Sequence, residues 1–152
     1  MPRKSIGAIL VVAISTTLSI YAFAETTAED AAQYRTNVMT SLRGHTGAAS
    51  MIVRGQVEDG GHLVAHARGL ASGASELARL FPAGSNVGES EALPAIWEKP
   101  AEFAAAIDKL TNATSVFLAA AESGDKEAIA AAFRDVGGSC RGCHDQFRVA
   151  QE

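Results

Sequence analysis

The chain has 152 residues, with 13 Lys and Arg against 17 Asp and Glu and a formal net charge of −4 at pH 7. This length suits one domain with a core of its own, not two. Nucleic-acid-binding proteins carry clustered basic residues and the opposite charge balance, so the acidic composition argues against a nucleic-acid partner.

The first 24 residues have the pattern of a cleavable secretory signal peptide. Arg3 and Lys4 give a positive start, an uncharged apolar stretch follows, and Ala22-Phe23-Ala24 provides a small-x-small cleavage site. A membrane anchor is the alternative, because the uncharged run is about long enough to cross a bilayer, although hydroxyl residues between positions 15 and 19 make it weakly apolar. Cleavage after Ala24 predicts a mature domain at 25–152 in the periplasm, without a membrane segment.

The mature chain is predicted to be all-α, because it is rich in alanine and has no sustained period-two alternation of strand-forming residues. The first helix begins at Thr26, with Glu29 three residues on completing a capping box, and runs to Gly55. Apolar residues at helical spacing indicate three more helices, over 61–80, 100–123 and 125–150. Two short links and one long connection, 81–99, predict an antiparallel up-down-up-down four-helix bundle.

The last predicted helix carries the motif Cys140-Arg141-Gly142-Cys143-His144, and the chain has no other cysteine. C-x-x-C-H is the attachment sequence of c-type haem. Two thiols add across the vinyl groups of the porphyrin, and the adjacent imidazole reaches the iron from the same side. Since positions i, i+3 and i+4 share one helix face, a single turn supplies both thioether links and one axial ligand. The motif therefore predicts one covalently bound haem c, with its iron, on Cys140, Cys143 and His144.

Two other interpretations of the cysteine pair stay open. A thiol oxidoreductase would use Cys140 and Cys143 as a redox pair, but such pairs normally lie at a helix N-terminus, where the thiolate is stabilised. Here the pair lies near the C-terminal end of the last predicted helix. A zinc site would combine the two thiolates and His144 with a fourth ligand, which His62 or His66 on the second helix could supply.

A second axial ligand has to come from upstream, because no residue after His144 can ligate iron. The upstream candidates are Met39, Met51, His45, His62 and His66. In the predicted bundle the start of the first helix lies beside the end of the fourth, at the depth of His144. Met39 lies at that depth, whereas Met51 is about 18 Å further along the helix. Met39 is therefore the expected ligand, and the alternative is that its thioether only packs on the porphyrin.

Two arginines are predicted to reach the haem propionates. Arg35 lies one turn before Met39, and Arg148 lies one turn after His144. A guanidinium group binds a carboxylate through two parallel hydrogen bonds, although both arginines could equally be solvated surface residues. Phe147 shares the helical stripe of the cysteines and is expected in the wall of the haem pocket, where it would be core in any bundle.

These residues resemble the class II cytochromes c, the family of cytochrome c′ and its low-spin relatives, over essentially the whole mature chain. The most specific match is the stretch 136–148 around the motif, with further matches at 34–39, 54–55 and 93–97. The resemblance implies a left-handed bundle of the up-down-up-down type, of which cytochrome c′ is a known example. It implies thioether links at Cys140 and Cys143, His144 as proximal ligand, Arg148 and Arg35 beside the haem, and Met39 at the distal position.

The resemblance is compatible with two functions, and the residue at the distal position of the haem distinguishes between them. In low-spin members a methionine ligates the iron and the protein carries single electrons between redox partner proteins. In cytochromes c′ a bulky apolar side chain leaves high-spin, five-coordinate iron that binds nitric oxide or carbon monoxide, and some of these proteins also have a non-ligating methionine nearby. The loop at 80–84 looks more like the low-spin branch. We therefore expect a non-enzymatic electron carrier with iron on His144 and Met39, with gas binding as the alternative and a homodimer as the family tendency.

Overall fold

The computed structural model describes residues 26–150, and the predicted signal peptide at 1–24 lies outside this range. The helices are α1 (Ala28–Val53), α2 (His62–Glu76), α3 (Ala95–Glu98), α4 (Pro100–Ser123) and α5 (Lys126–Phe147). Residues 26–150 contain no β-strand, only one isolated antiparallel bridge between Ala92 and Arg148. The predicted all-α fold is confirmed.

The four longer helices form the predicted bundle around a single core. α1 packs on α2, α2 on α4 and α4 on α5, while α5 closes the ring by a less extensive contact with α1. Phe117 of α4, Leu70 of α2 and Val136 of α5 are fully buried where these helices meet. Among the described residues, none of the helices is both long enough and apolar enough to span a bilayer.

The helix boundaries follow local capping chemistry, and here the predicted start of α1 is wrong by one residue. Thr27, not Thr26, is the N-cap, because its Oγ1 accepts a hydrogen bond from the Asp30 amide at 3.0 Å. The same hydroxyl donates to the Asp30 carboxylate at 2.9 Å, which replaces the predicted pairing with Glu29. Two threonines each precede an acidic residue by three positions, so the sequence alone could not choose between the two registers.

Among the other boundaries, those of α4 and the start of α5 agree with the prediction, whereas α1 ends at Val53 instead of Gly55 and α2 ends at Glu76 instead of residue 80. α4 spans the predicted residues, since Pro100 suits a first helical turn and Gly124 ends the helix with φ +73°. Asp125 caps α5 by accepting hydrogen bonds from two backbone amides of the first turn. α5 ends at Phe147 instead of Ala150, because the residues that follow turn into extended backbone and pair with the long connection.

The connection at 81–99 lies against the C-terminal end of α5. The Leu93 amide donates to the Phe147 carbonyl at 2.9 Å, and the Val149 amide donates to the Glu91 carbonyl at 2.8 Å. The connection also contains the short helix α3, which the sequence did not predict and which contacts both α4 and α5. The long connection is therefore an ordered structural element that fixes where α5 ends.

Arg35 of α1 holds this connection in place from the other side. Its side chain is only 5% exposed, and its Nη1 donates to the Leu80 carbonyl and the Ser85 hydroxyl, both at 3.0 Å. Nη2 donates to the Ser85 carbonyl at 2.9 Å and to the Ser90 hydroxyl at 2.8 Å. The guanidinium carbon also lies 4.8 Å from the centroid of the Phe81 ring, a cation–π distance.

We expect Arg35→Met to remove these four hydrogen bonds while keeping a long unbranched side chain in the same space. A buried acceptor left without a partner costs about 1–3 kcal/mol, so the free energy of unfolding should fall by at least about 2 kcal/mol in urea denaturation. Arg68→Met is the matched control, because Arg68 is 67% exposed in a surface ion pair with Glu122 and should cost less than about 1 kcal/mol. Equal losses in the two variants would show that Arg35 does not anchor the connection.

Candidate functional site

The predicted haem-attachment motif lies in the last two turns of α5. The helix is continuous through Cys140, Cys143 and His144, so the two thiols and the imidazole share one face as the i, i+3, i+4 spacing requires. All three side chains are half-buried, and the two cysteines pack against the hydrophobic core. The structure therefore brings together the three groups that the sequence assigned to the cofactor.

The protonation of the two thiols distinguishes between the interpretations of the pair. Burial raises the pKa of Cys140, and burial together with the neighbouring Cys140 raises the pKa of Cys143 to about 11. Both groups are therefore neutral thiols near pH 7. A thioredoxin-type redox pair depends on a thiolate with a lowered pKa at a helix N-terminus, so this environment argues against the oxidoreductase interpretation.

The pKa of His144 shifts in the opposite direction, because the charged form that burial disfavours is, for a histidine, the protonated one. Burial is the largest cause of its lowered pKa, and the positive charge of Arg148 lowers the pKa further, while Asp145 and Glu91 partly oppose both effects. The imidazole is therefore neutral near pH 7. A neutral ring keeps a nitrogen lone pair, which is the form that binds a metal ion.

Arg148 lies beside His144 and is paired with a residue that the sequence did not single out. An open cleft of about 320 Å³ is lined by His144, Asp145, Arg148, Val149 and Ala150. Nε and Nη2 of Arg148 both approach Oε2 of Glu91 at 2.7 Å. The backbone bridge between Ala92 and Arg148 brings the two side chains together, and a sequence pattern cannot show that pairing. A contact between Arg148 and a haem propionate stays a prediction.

Arg35 and Phe147 are both buried, so neither is a solvated surface residue. Both terminal nitrogens of Arg35 donate to the connection, so a propionate contact would have to share them. Phe147 is 3% exposed and packs edge-on against Phe103 at 5.1 Å, and Phe103 packs edge-on against Phe81 at 4.8 Å. A row of aromatic rings thus connects the guanidinium of Arg35 to the end of α5.

The predicted distal residue, Met39, is half-buried on α1 and packs against the core. Of the other candidates for the second ligand, Met51 is 45% exposed and His45 is in contact with His66 at the α1–α2 interface. The zinc interpretation is not supported, because within residues 26–150 no three His, Cys, Asp or Glu side chains cluster closely enough to hold a metal ion. Covalent attachment of haem c needs two thiols and a neutral imidazole on one face, and these are the groups that α5 presents.

Comparison with known proteins assigns nearly the whole described chain to the family that the sequence motifs resemble. The family model described as Cytochrome C′ matches residues 30–148. Cytochrome c′ of Rubrivivax gelatinosus is 36% identical over 121 residues, which are 78% of this chain and 94% of that protein. Cytochrome c-554 of Cereibacter sphaeroides is 49% identical over a shorter stretch of 72 residues, 45% of this chain and 53% of that protein.

Solved structures agree with the sequence matches. The crystal structure of the Rubrivivax gelatinosus cytochrome c′ has a TM-score of 0.75 and 32% identity, covering 80% of this chain and 96% of that chain. The nitric oxide complex of a cytochrome c′ variant from Alcaligenes xylosoxidans has a TM-score of 0.77 and 32% identity, covering 86% of this chain and 100% of that chain. The chain therefore belongs to the cytochrome c′ family, whose proteins bind covalently attached haem c with its iron.

Proposed function

We propose that this protein is a periplasmic mono-haem c-type cytochrome that binds nitric oxide or carbon monoxide at its haem iron. The observation that carries haem attachment is the placing of two thiols and a neutral imidazole on one face of α5, within a cytochrome c′ bundle. Related proteins have been solved as a nitric oxide complex and as a carbon monoxide-bound variant. These relatives favour gas binding over the electron carrier that the sequence predicted first.

In this proposal Cys140 and Cys143 form the two thioether links, and His144 is the proximal ligand. Haem, when bound, supplies an iron that can take up a diatomic gas or exchange an electron. The chain holds the His144 imidazole on a rigid helix and, by burial and the nearby charge of Arg148, keeps it unprotonated. The predicted signal peptide supports a periplasmic location, and a homodimer remains part of the proposal.

The two arginines differ in how well they are placed to bind a propionate. Arg148 is half-buried in the same cleft as His144, and its ion pair with Glu91 is solvent-accessible. Arg35 is buried, and its terminal nitrogens make four hydrogen bonds, three to the connection and one to the Leu80 carbonyl just before it. Arg148 is therefore the better propionate partner, while Arg35 positions the loop beside the site.

Electron transfer is the second candidate function, and Met39 is the observation that supports it. Its thioether is half-buried on α1, and α1 contacts α5, the helix that carries the motif. A thioether on the iron would stabilise the ferrous state and fix six-coordination, which suits a single-electron carrier. In the gas-binding proposal the same side chain packs on the distal side without ligating.

The absorption spectrum of the reduced purified protein separates these two functions. We expect the broad bands of five-coordinate high-spin haem and a clear shift when carbon monoxide is added. Sharp bands of six-coordinate low-spin haem that carbon monoxide does not shift would instead make the protein an electron carrier. A mass equal to that of the unmodified mature chain would contradict haem attachment and with it both functions.

Substitution of Met39 tests its role at the iron directly. In the gas-binding protein, Met39→Ala removes a side chain that crowds the distal side, so carbon monoxide should associate at least about tenfold faster, equivalent to about 1.4 kcal/mol in the barrier. The high-spin spectrum should not change. Met51→Ala is the control, since Met51 is 45% exposed and should leave the rate unaltered. Conversion from a low-spin to a high-spin spectrum in the Met39 variant would identify the thioether as an iron ligand.

A further inference from the structure

A pair of histidines joins α1 to α2 and belongs neither to the Cys140–His144 motif nor to the cleft beside it. The Nδ1 atoms of His45 and His66 lie 3.2 Å apart, and the ring centroids are 5.5 Å apart with planes inclined by 57°. Both residues are half-buried. The other two histidines of the chain are the exposed His62 and the proposed proximal ligand His144.

The position of the His45 ring depends on glycines in the facing helix. A Cβ on Gly69 would lie only 2.6 Å from Cε1 of His45, so any side chain at position 69 would displace the imidazole. One turn further along α2, a Cβ on Gly73 would lie 2.7 Å from Cδ2 of Leu42. The absence of side chains at both positions lets α1 lie close to α2 and directs His45 towards His66.

The distance between the two nitrogens suits a shared metal ion. Imidazole nitrogens bind zinc at about 2.0–2.1 Å, and two such bonds at a tetrahedral angle span about 3.3 Å between the nitrogens. The observed 3.2 Å is close to this span. Without a metal ion the two atoms can share one proton, because one neutral ring donates through Nδ1 while the other accepts. Metal binding would need both rings to carry their proton on Nε2.

We propose that His45 and His66 form a two-histidine chelate for a divalent transition-metal ion of the zinc and copper type, with water completing the coordination. Imidazole is a preferred ligand of these ions. Within residues 26–150 no third His, Cys, Asp or Glu side chain completes the cluster, so the proposed site has two protein ligands. The proposal does not rest on the haem function, because neither histidine belongs to the Cys140–His144 motif.

A competing chelate has to be distinguished from this one. His62 and His66 are one turn apart on α2, a spacing that also allows two imidazoles to share a metal ion. In the structure, however, the His62 ring lies over Gly60 in the preceding turn, with Cδ2 3.4 Å from the position of a Cβ there. Only His45 and His66 are already in contact, so a dependence of metal binding on His45 distinguishes the proposed site from the His62–His66 alternative.

Calorimetric titration of the purified mature protein with Zn²⁺, prepared without a histidine tag, tests the proposal. His45→Gln and His66→Gln should each weaken Zn²⁺ binding at least tenfold, whereas His62→Gln should stay within about twofold of the unsubstituted protein. Unchanged affinity in His45→Gln, or a loss in His62→Gln as large as in His45→Gln, would overturn the assigned ligands. Absence of zinc binding to the unsubstituted protein at millimolar concentration would overturn the site itself.

A second pair of variants leaves both histidines in place and guards against a folding defect. Gly69→Ala should weaken Zn²⁺ binding because its Cβ displaces the His45 ring, while Gly47→Ala on α1, where no atom lies within 4 Å of the added Cβ, should not. Helical circular dichroism checks that each variant is folded. Electron paramagnetic resonance of bound Cu²⁺ should show two nitrogen ligands in the unsubstituted protein and fewer in His45→Gln; two nitrogens in both would exclude His45.

Discussion

The buried guanidinium of Arg35 is the constraint around which one end of the bundle is arranged. A charge with so little solvent contact has to be surrounded by hydrogen-bond acceptors, and α1 itself offers none because its carbonyls are used within the helix. The chain meets this requirement with oxygens from Leu80, Ser85 and Ser90, which bends the connection back over α1. Once held there, the connection reaches the end of α5 and determines the surroundings of His144.

This arrangement links the two sides of the proposed haem site through ordinary packing. Arg35 and Met39 lie one turn apart on α1, so the helix that anchors the connection also carries the proposed distal side chain. The aromatic row from Phe81 through Phe103 to Phe147 continues from Arg35 to the helix that carries His144, the proposed proximal ligand. Glu91 then pairs with Arg148 at the rim. The proposed proximal and distal groups therefore share one structural support, and a change in the connection would alter the surroundings of both.

The parts of the molecule that were predictable from sequence are those governed by local rules. The boundaries of α4 follow from Pro100 and Gly124, and the face shared by Cys140, Cys143 and His144 follows from helix periodicity. What was missed depends on contacts between distant segments: the acceptors around Arg35, the pairing of Glu91 with Arg148, and the early end of α5. The relatives do not support the low-spin preference drawn from the loop at 80–84, since those solved with a bound gas are cytochromes c′. A resemblance in a loop carries no information about the ligands of the iron.

The raised pKa of the motif thiols has a consequence for how the protein matures. In an oxidising compartment, two cysteines one helical turn apart are near enough to form a disulfide, which would prevent thioether formation. Disulfide exchange proceeds through the thiolate, and with a pKa of about 11 only about one Cys143 in ten thousand is ionised at pH 7. A helix formed before cofactor attachment would thus slow the oxidation of its own cysteines and keep them reduced for longer. The same burial that packs the motif against the core would act as kinetic protection during biogenesis.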